Sequence, residues 1–427
     1  MKLWDKGVTI DQRIEKFTVG NDREIDLHIA IYDVQASLAH AKMLTSVGII
    51  TSKELQQLEK GLKEIALQIV EETFVIEPQF EDVHSKIEYE LTKKYGEVGK
   101  KIHTARSRND QVLVALHLFY KDHLQHVLSK TESLFNTLLE LAETHKKTII
   151  PGYTHLQVAM PSSFGLWFSA YAELLIDDVY MLQAALKTVD QNPLGSAAGY
   201  GSSFPIDRDF TTTELGFTTL KYNVVAAQLS RGKNERIIAS ALGGLCNTLA
   251  RFSMDICLYM SQNFGFISFP DALTTGSSIM PHKKNPDVFE LIRGKCNKIQ
   301  ALHTEMLLIT NNLPSGYHRD FQLLKEHSIT AFEDVIEILT IFEYAIKQIK
   351  ILDIDLSDEK YHYLYTVDSI NTLVINGDSF RDAYQKVGAQ VQSGTYTPAD
   401  AKEHTHIGSM GNLCLDKIRE KFSEARK

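Results

Sequence analysis

The chain has 427 residues, 44% hydrophobic and 23% charged, an ordinary globular balance with enough length to bury a core without covalent staples. Its net charge of −9 excludes a general nucleic-acid binder, which needs a basic surface for phosphates, yet leaves room for a locally basic pocket that takes an anionic small molecule. Cys246, Cys257, Cys296 and Cys414 have no CxxC spacing and read as buried thiols of a reducing compartment. With no apolar signal core and no run of about 18 apolar residues, a cytoplasmic protein with no membrane partner is expected.

In chain order, Thr73-Phe74-Val75-Ile76 is short and β-prone and reads as a candidate strand, as does Leu373-Val374-Ile375 near the other end. No glycine or proline stands between Gly99 and Pro151. Within that stretch Leu113, Leu116, Tyr120, Leu124, Val127, Leu134, Leu138 and Leu141 recur at spacings of three, four or seven, the period of a helix longer than usual. Further helical patterns run from Ser162 to Val189, Glu235 to Asn263, Asp287 to Asn311 and Asp320 to Ile351. Asn285-Pro286 suits the start of one of them, with asparagine as N-cap and proline in the first helical position. The expected fold class is mainly α, with an N-terminal helical domain (1–105), a central bundle of long helices (106–352) and a small C-terminal helical domain (353–427). Helices so long and so apolar are expected to bury one face against another subunit.

Segments 103–111, 151–157 and 273–286 interrupt this pattern at the ends of long helices, and each is rich in polar, chemically capable residues. In the first, Arg106 and Arg108 alternate with small polar residues, and guanidinium forks match carboxylates. The second carries His155, a residue type whose ordinary pKa lies near working pH. The third joins a small, flexible stretch, Thr274-Thr275-Gly276-Ser277-Ser278, to Lys283, Lys284 and Asn285. A serine is a poor base unless its alkoxide is stabilised, and loop amides and lysines supply that once the loop closes and excludes water.

The string from Gly276 to Pro286, Gly-Ser-Ser-Ile-Met-Pro-His-Lys-Lys-Asn-Pro, resembles the signature of the fumarase/aspartase superfamily. The string His103-Thr104-Ala105-Arg106-Ser107-Arg108-Asn109-Asp110-Gln111 looks like the argininosuccinate lyase form of the first superfamily motif, with Ala105 where glycine is usual. Pro151-Gly152-Tyr153-Thr154-His155-Leu156-Gln157 resembles the second. Leu313 to Lys325 is similar to the argininosuccinate lyase segment whose Tyr, Gln and Lys bind substrate. The stretches 192–198 and 204–208, together with Lys2-Leu3-Trp4, Glu15-Lys16-Phe17 and 39–44, fit the same family. The resemblance implies a three-domain fumarase/aspartase-like fold. It implies reversible elimination of argininosuccinate to arginine and fumarate, the last step of arginine biosynthesis, by proton abstraction beside a carboxylate and C–N cleavage. By position, Ser277 is the base, with Lys283 and Asn285 holding the carboxylate that takes up charge. Ser278 and Lys284 are second choices. His155 is the acid/base partner and Glu290 the carboxylate that pairs with it. Arg108, Asn109, Thr154, Tyr317, Gln322 and Lys325 bind substrate. No metal or organic cofactor is implied, because the substrate's own carboxylate is the electron sink. The implied assembly is a homotetramer whose active sites each take one motif from each of three subunits.

Several positions depart from the family pattern. Asp5-Lys6-Gly7-Val8 stands where Gly-Gly-Arg-Phe is frequent, Gly20 stands at a serine position, and Ser230-Arg231-Gly232-Lys233 replaces Ser-Asp-Arg-Asp. His282 replaces glutamine. Two alternatives remain at this point. One is another fumarate-releasing lyase of the superfamily, on adenylosuccinate or aspartate, against which the Tyr317 to Lys325 string speaks. The other is a non-catalytic, crystallin-like homologue, whose signature would be loss of His155 or Ser277, and both are present. Glu403-His404-Thr405-His406 reads as a polar loop rather than a metal site.

Overall fold

The structure, a computed structural model, describes residues 11–398 and 404–427; the strings Lys2-Leu3-Trp4 and Asp5-Lys6-Gly7-Val8, and Glu403, lie outside the described residues. The fold is mainly α. Helices α1 (Gln12–Val19), α2 (Asp22–Ser46), α3 (Ser52–Val70), α4 (Val83–Tyr95) and the one-turn α5 (Glu97–Lys100) lead to α6 (Arg108–Thr144), which is 37 residues long. A hairpin of β1 (Ile149–Thr154) and β2 (Gln157–Ser163) precedes α7 (Phe164–Val189). Short α8 (Arg208–Glu214) and α9 (Val224–Leu229) precede the long α10 (Lys233–Met260), α11 (Asp287–Ile309) and α12 (Leu323–Ile346). Helices α13 (Thr366–Ile375), α14 (Phe380–Ser393) and α15 (Leu415–Ala425) follow. Two further strand pairs are two residues long, Gln191–Asn192 with Thr219–Leu220 and Ile267–Ser268 with Lys350–Ile351.

Neither candidate strand forms. Leu373–Ile375 is the last turn of α13. Phe74 and Ile76 are buried and Val75 exposed, the alternation of a strand, but among the described residues no partner strand lies beside them. The amides of Thr73 and Phe74 instead satisfy the carbonyl of Gln68 at the end of α3. The hairpin falls where a loop was expected. Pro151, Gly152 and Pro161 depress strand propensity there, and the register shifts between Pro151 and Tyr153. Helix α11 starts one residue later than its asparagine-proline signal suggests, with the Pro286 carbonyl accepting the first helical bonds from Phe289 and Glu290.

The contacts divide the chain into two compact units. The first comprises the described residues up to Leu128, Met181–Gly244 and Lys298–Glu337; the second comprises Ser129–Tyr180, Leu245–Asn297 and Ile338–Lys427. In the first, α2, α3 and α4 close on Leu44, Leu58, Leu62, Phe80, Ile87 and Leu91. Helix α3 starts with a reciprocal capping box of Thr51 and Glu54. Helix α2 is unusual in burying a polar stripe, Asp26, Asp33, Ser37 and His40, beside its apolar residues. In the second, aromatic side chains fill the interior. Tyr171 stacks on Phe252 at 4.0 Å between ring centroids, and Trp167, Phe168, Phe289 and Phe342 pack around them. Each fully buried phenylalanine contributes about 1.5–3 kcal/mol of burial free energy. None of the cysteines is in a disulfide. Helix α10 is long and apolar enough to cross a membrane by length and composition alone, but 56% of its most apolar window is buried inside the protein.

Candidate active site

The first unit contains a cavity of about 200 Å³ lined by charged groups of both signs. Asp22 and Asp26, one turn apart on α2, face Lys325 on α12. The Lys325 ammonium lies 2.6 Å from Asp26 Oδ1 and 3.0 Å from Asp22 Oδ1 and is 5% exposed. Burial opposes its charge, but the two carboxylates keep its pKa above the ordinary value. Burial pushes Asp22 up to about 6, against the pull of Lys325. Arg108, in the first turn of α6, reaches Glu81 Oε2 at 3.1 Å and Asp82 Oδ2 at 3.3 Å and donates to Ser85 Oγ. Burial works to raise the Asp82 pKa, but the charges of His84 and Arg108 hold it below the usual range. Gln322 donates to the carbonyls of Thr18 and Val19, and Arg319 spans Thr18 O and Glu81 Oε1. Backbone carbonyls of α1, just before Gly20, thus meet this side of the cavity. Tyr317, 41% exposed, and Asn109 complete the lining with Arg231 and His84.

In the second unit, Thr154, His155 and Leu156 form the exposed tip of the hairpin. His155 and Leu156 both have positive φ, 53° and 57°, so the tip is a tight two-residue turn in a conformation that suits asparagine and glycine better. The left-handed conformation costs a non-glycine residue roughly 1–2 kcal/mol. Glycine's extra unfolded-state freedom offsets only part of this, about 0.4–1 kcal/mol. Leu156→Gly is therefore expected to raise the thermal midpoint slightly in melts followed by circular dichroism; a clear fall would contradict a strained turn.

The loop 276–284 is pinched at its base by Thr275 and Asn285, whose amides and carbonyls pair in both directions. The Asn285 side-chain amide donates to Thr275 Oγ1 and Gly276 O, each at 3.3 Å. Ser277 Oγ accepts from the backbone amides of Ile279 at 3.4 Å and Met280 at 3.2 Å. Lys284 pairs with Asp271, while no ion pair engages the exposed Lys283 ammonium among the described residues. Glu290 is exposed in the first turn of α11, and among the described residues no hydrogen bond joins it to His155.

A family described as lyase matches residues 5–301. The chain is 54% identical over 98% of its length to an argininosuccinate lyase of Phocaeicola vulgatus, covering 94% of that protein. It is 41% identical over 90% of its length to the argininosuccinate lyase of Thermotoga neapolitana, covering 97% of it. The chain belongs to the argininosuccinate lyase family. Among solved structures, EDDS lyase in complex with formate superposes with a TM-score of 0.77 at 19% identity, covering 98% of this chain and 92% of that one. The class II fumarase from Schistosoma mansoni does so with 0.74 at 18%, covering 97% and 93%. At those identities the likeness concerns the fold.

This argininosuccinate lyase relative thus brings Arg108, Asn109, Tyr317, Gln322 and Lys325, which are widely separated in sequence, to one cavity. In the second unit it places Thr154 and His155 on one tip, and Ser277, Lys283 and Asn285 on one loop. Asp22, Asp26, Glu81, Asp82, His84, Arg231 and Arg319 also line the cavity and were not singled out from the sequence as site residues. The signal that was there is the run Glu81-Asp82-Val83-His84 and the i, i+4 acidic pair on α2. The departure at 230–233 acquires a local explanation. Gly232, at φ 82°, sits where a Cβ would meet Thr310 at 2.5 Å, and its amide donates to Glu235, which also faces Arg231 at 3.2 Å. His404 pairs with Asp368 at 3.0 Å, and among the described residues no histidine, cysteine or carboxylate cluster suits a metal.

Proposed function

We propose that the chain cleaves argininosuccinate reversibly into arginine and fumarate in the last step of arginine biosynthesis. The observation that carries this reading is a charged cavity of both signs that includes Arg108, Asn109, Tyr317, Gln322 and Lys325, in a chain more than half identical to an argininosuccinate lyase. A substrate that carries a guanidinium, an ammonium and several carboxylates needs partners of both signs, and the cavity presents them in fixed positions.

In this reading Ser277 takes the proton beside the substrate carboxylate. The amides of Ile279 and Met280, already aimed at its Oγ, support the alkoxide character this requires. Lys283 rather than Lys284 holds the carboxylate, since Lys284 is engaged by Asp271. Asn285 turns its amide from Thr275 and Gly276 to the same group. Thr154 orients substrate, and His155 handles the proton of the leaving nitrogen once Glu290 pairs with it. A homotetramer assembles the sites. Exposed apolar side chains on the long helices support it: Leu174 and Tyr180 on α7, Met254 on α10, Leu291 and Leu308 on α11, Ile341 and Tyr344 on α12. The domain boundaries at 105/106 and 352/353 fall between helices, and the protein acts in the cytoplasm without a cofactor. Fumarate release from argininosuccinate, adenylosuccinate and aspartate, followed by ultraviolet absorbance, tests the substrate. Release from argininosuccinate alone is expected, and faster turnover of either other compound would overturn the reading.

A further inference from the structure

We infer that His84 is a substrate ligand whose imidazolium, held from behind by Asp33, donates from Nε2 to a carboxylate of the molecule bound in the first unit's cavity. The inference rests on the lyase reading and adds to it a residue to which neither the signature motifs nor the substrate segment assigns a role.

His84 lies in the first turn of α4, just after its capping residue Asp82, and is 5% exposed. Its Nδ1 lies 3.1 Å from Oδ1 of Asp33 on α2. Asp33 is wholly buried and is also 3.7 Å from Nη2 of Arg106, which donates through Nη1 to Ser37. The rear edge of the ring therefore faces a buried carboxylate at ion-pair distance, a contact that lies outside hydrogen-bond geometry for both Nδ1 and Asp33. Its other nitrogen, Nε2, is buried and has no hydrogen-bond partner among the described residues, and the side chain lines the cavity beside Arg108 and Asn109. The arginines and lysine of the same cavity already have protein partners: Lys325 has Asp22 and Asp26, Arg108 has Glu81 and Asp82, Arg319 has Glu81, and Arg231 has Glu235. A buried donor left without a partner is costly, and a carboxylate arriving in the cavity removes that cost.

The surrounding charge favours the protonated ring. Asp26 and Asp33 face it from α2, and Asp82 from the start of its own helix. Arg106 and Arg108 lie on the α6 side, and His103 beside them. Burial opposes protonation, but the carboxylates outweigh it and raise the pKa above the ordinary histidine value. The charge is therefore present at low pH and is lost as pH rises through that raised value. Substrate affinity is expected to weaken in the same direction.

His84→Asn keeps a donor at the Nδ1 position and removes the one at Nε2, whereas His84→Gln places an amide near Nε2. His84→Asn is expected to raise KM roughly ten- to hundredfold, the loss of a charge-assisted hydrogen bond, with a smaller change in kcat. His84→Gln recovers part of the loss. In the wild type KM climbs with pH on the alkaline side, and in both variants that climb disappears. Product-inhibition constants for arginine and for fumarate identify which carboxylate is held, since only the one in contact weakens. Wild-type KM in His84→Asn, an alkaline climb that survives in His84→Gln, or two unmoved product constants would each overturn the inference. Should His84→Asn fail to fold, His84→Gln and the wild-type pH profile decide it. A wild type that releases no fumarate overturns the lyase reading and this inference with it; an active wild type indifferent to both substitutions overturns this inference alone.

Discussion

Ser277→Ala is expected to lower fumarate release by about 10²–10⁴-fold, the range for loss of a positioned proton acceptor, while leaving the fold intact. The two parts of that expectation have separate grounds. Ser277 is half-buried and, among the described residues, its hydroxyl bonds only to amides of its own loop, Ile279 and Met280, so truncation frees two amides that water can reach. Its thermal midpoint should stay near that of the wild type. The catalytic loss is expected to be large because, in the proposed mechanism, those amides stabilise an oxygen that develops negative charge, and alanine has none to stabilise. Ser278→Ala is the control: the next residue is exposed and should cost far less. Activity of Ser277→Ala within tenfold of wild type, read by the appearance of fumarate absorbance, would assign the base elsewhere. The same variant also tests the assembly. His155→Ala and Ser277→Ala proteins, each inactive alone, should regain part of the activity when mixed and allowed to exchange subunits. No recovery would mean that one subunit supplies both residues.

The long helices were legible because their apolar spacing is uninterrupted. Between Gly99 and Pro151 nothing breaks the repeat, and α6 fills most of that interval. Helix α2 was not read that way, because the side chains it turns inward include Asp26, Asp33, Ser37 and His40, and an apolar-periodicity reading takes such residues for a solvated face. Of that stripe Asp26 lines the cavity, beside Asp22 a turn earlier, and Asp33 stands behind His84, so the helix hardest to see is one that walls the candidate site. The hairpin escaped for a related reason. Its two-residue turn is His155-Leu156 rather than asparagine-glycine, so the usual hairpin signal is missing. Arg108 and Lys325, which both line the cavity, lie inside matched strings and were singled out from the sequence. Their counter-ions were not, because Asp22, Asp26, Glu81 and Glu235 acquire meaning only when the fold places them opposite a cation.

Lys325→Met is expected to remove activity and to destabilise the protein by about 3–5 kcal/mol, because it leaves buried carboxylates without their counter-ion. The Lys325 ammonium lies between Asp26, wholly buried, and Asp22, and methionine fills its volume without its charge. The two carboxylates are a turn apart on one helix, and burial already lifts Asp22 to about 6 with the lysine present. Without it, the pair must take up a proton or remain strained. The sign of the pH dependence follows. A carboxyl whose folded-state pKa lies above its unfolded value near 3.8 binds its proton more tightly in the folded chain, so its contribution is fully present below that unfolded value and is lost as pH rises through about 6. In Lys325→Met this upper limit moves higher still, so the thermal deficit should be largest at neutral pH and should narrow on acidification. Asp22→Asn added to Lys325→Met removes one of the stranded charges. The double variant should recover a good part of the midpoint at neutral pH, yet recover no activity if Lys325 also meets substrate. Recovery of both would make Lys325 a purely structural counter-ion. A single variant as stable at neutral pH as the wild type would mean that the carboxylates never depended on it.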